Sequence, residues 1–236
     1  MLFSVPRAGL FAAGLLCLLP ATVHAQESAL PGTFSGNVAF VSDYIVRGIS
    51  LSNQNPAIQG GLDLDSGMGV YAGLWGSSVE FGNDASMELD FFTGYRGRVD
   101  ALSYEIGATY YWYPETIEAG QSFWDVHVDV GYDFGAAAVT FGTAYTTDDY
   151  GPLLNDQTLY FSGKVAVPIT DRFSISAGVG HSAMEDRPDY NDWNAGATLK
   201  VYDWFNVDAR YFDSDYEAVC GTHCDARVVV KISRAF

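Results

Sequence analysis

Hydrophobic and polar residues alternate along most of this chain with a period of two, and the charged residues keep to one of the two phases. The pattern is clearest in residues 124–134, where apolar side chains alternate with Asp125, His127, Asp129 and Asp133. Because successive side chains of a strand point to opposite faces, this segment predicts a strand with one apolar and one charged face. A water-soluble β-sandwich has the same alternation with its apolar face turned inward, so the pattern alone does not say whether that face contacts protein or lipid.

Twelve alternating segments predict twelve strands. They span residues 34–48, 57–65, 69–79, 86–99, 101–113, 122–134, 136–146, 157–167, 172–183, 192–202, 204–213 and 225–236. Most are longer than the roughly five or six residues of an average soluble strand and match the roughly 9–11 residues of a tilted membrane strand. Short turns alternate with longer loops along the chain. An even strand number with this alternation is typical of single-chain outer-membrane barrels.

The beginning of the chain predicts export. Arg7 precedes an apolar run at 9–19, and residues 23–25 resemble a small-residue cleavage site. This order predicts a signal peptide of residues 1–25 and a mature barrel domain of residues 26–236. The apolar run is too short to span a bilayer as a helix, so we expect any membrane insertion to use β-strands.

The end of the chain resembles the recognition signal of outer-membrane barrels. Val228, Val230 and Ile232 share one phase of the last segment, and the chain closes on Phe236. We therefore expect the barrel-assembly machinery of a Gram-negative outer membrane to be a partner. An ordinary edge strand is the alternative interpretation.

Aromatic residues at the strand ends predict two belts at the membrane surfaces, where amphipathic rings are enriched. The predicted outer belt contains Tyr44, Trp112, Trp124, Tyr145, Trp193 and Tyr211, and the inner belt contains Phe134, Phe173, Phe205 and Phe236. A sandwich core would place large aromatic residues in the middle of its strands. These belts favour lipid as the neighbour of the apolar face.

The charged phase is then predicted to line the lumen of the barrel. These residues are Asp43, Arg47, Asp63, Glu88, Asp90, Arg96, Arg98, Glu105, Asp125, His127, Asp129, Lys164, Lys200, Asp208, Arg210, Arg227 and Lys231. Acids and bases are nearly balanced among them, as expected of groups that share an enclosure and must pair or stay hydrated. For Asp43 and Arg47, a salt-bridge lattice in the wall and a pore constriction are both open.

The net charge of −17 argues against nucleic-acid binding. The predicted outer loops hold many acids, and Arg187 is their one basic residue. Such a mouth would concentrate cations and repel anions. Alternatively, the acids keep the surface soluble or bridge divalent cations to neighbouring lipopolysaccharide.

Three groups of residues could support other chemistry. Cys220 and Cys224, in the last outer loop, predict a disulfide, because paired cysteines are typical of exported proteins; a metal site that includes His223 is the less favoured alternative. His127 between Asp125 and Asp129 could bind a cation or transfer protons, but a hydrogen-bonded lumen network is favoured. No metal or cofactor is predicted.

His181 is the candidate for enzymatic activity. It falls in the lipid-facing phase near the outer rim, where a lipid-active enzyme could place a histidine beside its nucleophile. Its same-face neighbour on the strand is Ala183, and Ser182 points inward, so the simplest nucleophile–base pair is missing. A partner from a neighbouring strand stays open, and we predict that the protein is not an enzyme.

Several motifs resemble the TorF-like family of Gram-negative outer-membrane porins. They are SDYIVRGIS at 42–50, PAIQGGLD at 56–63, GVYAGLW at 69–75, ELD at 88–90 and YWYP at 111–114. The resemblance covers essentially the whole mature chain. It implies a location in the outer membrane and brings no catalytic residues with it.

The sequence therefore predicts a twelve-stranded antiparallel transmembrane β-barrel in the outer membrane, in contact with lipids and lipopolysaccharide. Its predicted function is passive diffusion of small hydrophilic solutes or ions, with cations favoured. Inward aromatic residues could instead plug the lumen and leave a closed barrel with a structural or surface-binding role. These residues are Phe92, Tyr111, Tyr113, Phe123, Tyr160 and Phe212.

Overall fold

Twelve antiparallel strands, each paired with the next, close into a barrel in a computed structural model that describes residues 32–114, 122–147 and 157–236. In chain order the strands are β1 (Thr33–Val41), β2 (Ile45–Val46), β3 (Ile49–Ser50), β4 (Ala57–Asp65), β5 (Val70–Ser78), β6 (Met87–Val99), β7 (Leu102–Trp112), β8 (Phe123–Asp133), β9 (Ala138–Thr146), β10 (Thr158–Pro168), β11 (Phe173–Met184), β12 (Tyr190–Val201), β13 (Phe205–Ser214) and β14 (Arg227–Ala235). β2 and β3 form a separate hairpin, and the other twelve strands form the wall, which closes where β1 pairs with β14. The predicted fold class is confirmed.

Eleven of the twelve predicted strands begin and end within two residues of the observed wall strands. The first predicted strand, 34–48, is wrong in its second half. The chain leaves the wall after Val41, and residues 42–56 fold into the barrel before β4 begins. We call residues 42–56 the inward segment.

The apolar phase of the wall faces outward. On β8 the side chains of Val126, Val128 and Val130 are 43%, 40% and 44% exposed, whereas Asp125 in the other phase is 4% exposed. The same division runs around the barrel, with apolar residues outside and polar or charged residues inside. This arrangement excludes the β-sandwich interpretation, in which a second sheet would cover the apolar face.

The two ends of the barrel differ in their connections. One end, here called the turn end, carries the short turns between β4 and β5, β6 and β7, β8 and β9, β10 and β11, and β12 and β13. The opposite loop end carries the longer connections, including α1 (Glu217–Cys220) and a 3-10 turn (Gly221–Cys224). The predicted signal peptide and the acids at 115, 118, 148, 149 and 156 lie outside the described residues. Within the described parts of the chain, no helix has the length and apolar character to cross a membrane.

Nine of the ten predicted belt aromatics are exposed on the outer surface. They are Trp112, Trp124, Tyr145, Trp193 and Tyr211 towards the loop end, and Phe134, Phe173, Phe205 and Phe236 towards the turn end. The prediction for Tyr44 is wrong. It belongs to the inward segment, and its hydroxyl donates a 2.7 Å hydrogen bond to Glu88 in the interior.

Two glycines make room for an aromatic ring inside the wall. A Cβ atom at Gly94 or at Gly107 would lie 2.5 Å from the hydroxyl oxygen of Tyr71. The ring therefore lies over both glycines, and its hydroxyl donates a 2.6 Å hydrogen bond to Glu105 on β7. Aromatic residues that cover glycines in this way stabilise curved sheets.

The outward valines lead to a prediction about the surroundings of the wall. Val128 lies at the centre of β8, so Val128→Arg would place a cation at the middle of the apolar exterior. In a bilayer we expect the substitution to lower the free energy of unfolding by about 2–4 kcal/mol, because arginine at the midplane is poorly solvated. Urea unfolding of the protein refolded into phospholipid vesicles measures the change.

Val70→Arg is the matched control, because Val70 is also exposed on the outer surface but is the first residue of β5, at the turn end. Near the membrane surface its cost should be only about 0–1 kcal/mol. Equal effects at Val70 and Val128 would show that the outer surface does not contact hydrocarbon.

Candidate functional site

The inward segment crosses the lumen as a narrow hairpin. β2 and β3 pair through Ile45–Ser50 and Val46–Ile49, and Arg47 and Gly48 at the tip have φ angles of 47° and 79°. Two successive positive φ angles are typical of the tightest β-hairpin turns. A Cβ atom at Gly48 would lie 2.8 Å from the Cβ atom of Ser214, so glycine allows the tip to contact the wall on β13.

The tip is held by an ion pair across the barrel, which we call the latch. Arg47 donates a hydrogen bond from Nη2 to Oδ2 of Asp125 on β8, over 2.8 Å, and the two side chains are only 11% and 6% exposed. The guanidinium carbon lies 4.4 Å from the ring centre of Tyr160 on β10, a distance that allows a cation–π interaction. The Tyr160 hydroxyl in turn donates to Asp192 on β12 over 3.0 Å. The tip thus contacts β8 and β10 directly and is linked to β12 through Tyr160.

Asp43 fixes the base of the inward segment. Its carboxylate accepts hydrogen bonds from Ser50 (2.6 Å) and Ser52 (3.0 Å) and forms a 2.7 Å ion pair with Arg227 on β14. Asp43 and Arg47 therefore belong neither to one strand nor to one contact network, because the chain between them has left the wall. Both residues form ion pairs, as a salt-bridge lattice requires, and Arg47 also lies inside the lumen, as a constriction requires, so both interpretations stay open.

A second anchor lies at the loop end. Glu80 accepts hydrogen bonds from the side chains of Asn53 (3.1 Å) and Asn55 (2.7 Å). These bonds favour the ionised form and lower the pKa of the Glu80 carboxyl below its ordinary value. The carboxylate is therefore retained at mildly acidic pH.

An apolar cluster at the loop end covers the hairpin. Ile49 is 1% exposed and packs with Met184, Tyr190, Tyr216 and Cys224. The rings of Tyr190 and Tyr216 stack with centroids 4.3 Å apart. The cluster joins β3 to the connection between β13 and β14.

That connection contains a disulfide between Cys220 and Cys224, with Cα atoms 5.8 Å apart. The carbonyl oxygen of Thr222, inside the disulfide loop, accepts hydrogen bonds from Arg227 and from the side chain of Gln54, the latter over 3.0 Å. The disulfide loop therefore contacts the inward segment at the loop end of the barrel. His223 belongs to the same 3-10 turn.

A cavity of about 510 Å³ lies inside the barrel next to the inward segment, whose residues Tyr44, Ile45 and Val46 form part of its lining. Its charged lining residues are Asp43 from the inward segment and Asp63, Asp90, Asp208, Arg210 and Lys231 from the wall. Its volume falls within the roughly 300–1,000 Å³ of ordinary small-molecule sites.

The charges in the lumen are segregated by strand. Acids predominate on β6, β7 and β8, where Glu88, Asp90, Glu105, Asp125 and Asp129 point inward. Bases predominate from β10 to β14, where the inward residues include Lys164, Lys200, Arg210, Arg227 and Lys231. The two groups lie on opposite arcs of the ring, so an electric field crosses the lumen.

The remaining predicted lumen residues lie in local pairs. Arg96 bonds to Asp65 at 2.7 Å near the turn end, and Arg98 lies 3.6 Å from Asp133. Lys200 pairs instead with Asp203, in the turn after β12, at 2.6 Å. The pairs at the turn end are exposed, and such pairs contribute little to stability.

The trio on β8 is split between different partners. Asp125 belongs to the latch, and His127 Nε2 lies 3.5 Å from Oε1 of Glu105 on β7. Across the described residues, no group of three His, Cys, Asp or Glu side chains is arranged to hold a metal ion. The arrangement matches a hydrogen-bonded lumen network.

His181 lies on the outer face, where its Nδ1 atom is 3.0 Å from Oδ1 of Asn191. Its direct cross-strand neighbours are Phe161 and Asn191, and Ser182 is buried on the inner side. Its Nε2 atom lies 3.9 Å from Oδ2 of Asp189, so the contacts described for the ring come from an amide and a carboxylate.

The predicted plug aromatics divide into two sets. Phe92, Tyr111 and Phe212 line the cavity, and Tyr113 and Phe123 pack in an apolar cluster with Val79 and Ala85. The sixth, Tyr160, belongs to neither set and contacts Arg47 of the latch. The sequence did not reveal that the main obstruction is the inward segment. The Arg47–Gly48 pair, a turn signal inside an apparent strand, was the available indication.

Solved structures with this fold are known. The KdgM porin has a TM-score of 0.62 at 7% identity and covers 86% of this chain and 99% of its own. The NanC porin has a TM-score of 0.56 at 10% identity, covering 86% and 98%. The COG4313 outer membrane channel from Pseudomonas putida F1 has a TM-score of 0.51 at 12% identity, covering 87% and 96%. At these identities the similarity establishes the outer-membrane-barrel fold alone.

At the level of sequence, no curated protein matches the chain. A family model described as a bacterial protein of unknown function (Gcw_chp) matches residues 25–236. The match spans almost the whole chain, and the protein therefore belongs to the Gcw_chp family.

Proposed function

We infer that this protein is an outer-membrane channel through which small hydrophilic solutes or ions diffuse passively. The observation that carries the proposal is a charge-lined lumen with a cavity of about 510 Å³, enclosed by a wall whose exterior is apolar. Charged groups in such an enclosure must be paired or hydrated. The similarity of the fold to porins and to an outer membrane channel supports the proposal. We also propose that the protein is related to the TorF-like porins, as its sequence motifs suggest.

The membrane partners follow from the exterior. The apolar belt, with aromatic residues towards both ends, suits the acyl chains and headgroups of lipids, and lipopolysaccharide would surround the loop end. Phe236 lies in the closing seam, where its backbone exchanges two 2.9 Å hydrogen bonds with Gly36. A residue at the last seam to close is a reasonable contact for the barrel-assembly machinery.

A closed barrel is the second candidate, and the inward segment favours it. The latch spans the lumen and joins Arg47 to the acidic arc, while Ile49 packs beneath the loop-end cluster. If this arrangement is permanent, the protein is a structural or surface-binding barrel. If it opens, the inward segment is the gate of the channel.

Conductance of the purified protein in planar lipid bilayers tests the proposal directly. We expect stepwise openings, because the charged lumen would hold a continuous path of water when the inward segment moves. A bilayer that stays silent at all voltages would reject the channel and favour the closed barrel. Fatty-acid release from phospholipid that is lost in His181→Ala would instead establish a lipid-active enzyme.

Breaking the latch should increase conductance. Arg47→Asn removes the ion pair while keeping a residue that tolerates a positive φ. Loss of one partner leaves Asp125 buried and unpaired, at a cost of about 3–5 kcal/mol, which is enough to favour withdrawal of the inward segment. We expect a severalfold larger mean conductance in planar bilayers, and the same result for Asp125→Asn.

Two variants serve as controls for the latch. Arg98→Asn breaks an exposed pair at the turn end and should leave conductance unchanged. The charge exchange Arg47→Asp with Asp125→Arg should restore part of the closed behaviour. Equal conductance of Arg47→Asn and the wild type would mean that the latch does not control the path.

The acidic loop end leads us to propose a preference for cations. Asp189, Asp213 and Asp215 lie at or beyond the ends of the wall strands there, and Glu80 is kept ionised by its two asparagine partners. Replacing Asp189, Asp213 and Asp215 by asparagine should move the reversal potential in a KCl gradient towards zero. The same replacement of Asp100, Asp171 and Asp203 at the turn end is the control. A wild-type reversal potential of zero or of the opposite sign would reject the preference.

A further inference from the structure

Among the buried side-chain polar atoms without a hydrogen-bond partner in the described part of the chain, three belong to residues that line the cavity. They are Oδ1 of Asn37, Nε1 of Trp75 and Oδ1 of Asp90. The side chains of Asn37 and Asp90 belong to residues that are each only 7% exposed. A buried polar group without a partner costs about 1–3 kcal/mol, and more if it is charged. Their convergence on one cavity therefore points to something that binds there.

The three atoms belong to one row across neighbouring strands. Trp75 on β5 lies opposite Asp90 on β6 and opposite Gly61 on β4. A Cβ atom at Gly61 would lie 3.1 Å from Nδ2 of Asn37 and 3.1 Å from Cδ1 of Trp75. Gly61 thus lets Asn37 and Trp75 approach each other, and the row runs Asn37, Gly61, Trp75, Asp90.

The row presents two acceptors and one donor. The oxygens of Asn37 and Asp90 accept hydrogen bonds, and the indole N–H of Trp75 donates one. A cationic donor would stabilise the ionised form of the buried Asp90 carboxyl, and charge-assisted hydrogen bonds are the stronger kind. A primary ammonium group has the three N–H donors and the charge that these two oxygens require. A quaternary ammonium has the charge but no donor.

Aromatic rings border the row. The ring of Tyr44 in the inward segment lies 5.5 Å from the ring of Trp75, and Tyr111 stands opposite Asp90 on β7. Rings around a carboxylate provide further attraction for an ammonium ion. This side of the cavity is therefore suited to an organic cation rather than to a hydrated metal ion.

The other side of the cavity is basic. Arg210 on β13 and Lys231 on β14 face it together with Asp208 and Asp43, and Asp43 is paired with Arg227 on β14. With Arg227 included, three bases on this side outnumber two acids. Arg210 donates to Asp208 (3.2 Å), Asn194 (2.8 Å) and Ser176 (2.7 Å), and these bonds fix its position. The net positive charge favours a ligand carboxylate on that side, and the Trp75 N–H supplies a donor to it from the row.

We propose that the cavity binds free α-amino acids, with the ammonium group on Asp90 and Asn37 and the carboxylate turned to Trp75 and the basic side. The proposal rests on the proposed function, because it names the solute class that the channel passes. Adjacent positive and negative groups of one small zwitterion match the adjacent acceptors and donor of the row. The segregated charges of the lumen would orient such a dipolar solute as it enters.

A solute series tests the proposal on the full-length protein in detergent. Saturation-transfer NMR titrations compare L-alanine, its N-trimethyl derivative and L-lactate, which differ only at the position of the ammonium group. We expect L-alanine to bind at least about tenfold more tightly than either analogue, because only its ammonium group combines charge with N–H donors.

Variants then locate the binding. Asp90→Asn should weaken L-alanine binding by about tenfold or more, and Trp75→Phe by a smaller factor, since it removes one neutral hydrogen bond. Asp129→Asn is the matched control, because Asp129 also points into the lumen but does not line the cavity. Equal affinity in Asp90→Asn and Asp129→Asn would overturn the assignment, as would saturation transfer to none of the solutes, which would leave water as the only occupant.

The outcome separates this inference from the proposed function. Ion conductance in bilayers without L-alanine binding would overturn the solute class and leave the channel intact. L-alanine binding that depends on Asp90, together with silent bilayers, would keep the site and reject the channel.

Discussion

The structure depends on a closed ring of backbone hydrogen bonds. A sheet surrounded by hydrocarbon has no water for its edge N–H and C=O groups, so each wall strand must have two partners. The last bonds are made where β1 meets β14 and where Gly36 and Phe236 exchange hydrogen bonds. Closure then divides every strand into an outer and an inner face, and the period-two pattern of the sequence becomes an apolar exterior and a charged lumen.

Because the barrel is closed, the inward segment changes the space inside the lumen. A loop that folds outward from a barrel leaves the lumen unchanged, whereas residues 42–56 bring a hairpin to the opposite wall. The Arg47–Asp125 and Asp43–Arg227 pairs use one charge from the acidic arc and one from the basic arc. Asp63, Asp90, Asp208, Arg210 and Lys231 are the other charged residues around the cavity. The inward segment therefore determines both the free width of the lumen and the field inside it.

The sequence predicts the wall well because the alternation within each strand shows which of its residues face outward and which face inward. Eleven strands were located within two residues, since each carries its alternation locally. The inward segment escapes this reasoning because the lumen is itself polar. A hairpin inside it needs no continuous apolar face, and Ile45, Val46 and Ile49 continue the pattern of β1 closely enough to resemble more wall. The latch joins residues 78 positions apart, and the sequence around either residue contains no pattern from which such a contact could be predicted.

The same limit applies to the candidate site. Asp63, Asp90, Arg210 and Lys231 were predicted as lumen residues from their phase, but phase does not say which of them share a cavity. That depends on the stagger of neighbouring strands, which brings Trp75 level with Asp90 and lets Gly61 open the space beside Asn37. Tyr44, Ile45 and Val46 of the inward segment also line the cavity. A solute in the cavity must therefore contact the element that obstructs the lumen, and if the latch and the site act together, binding and opening are properties of one hairpin.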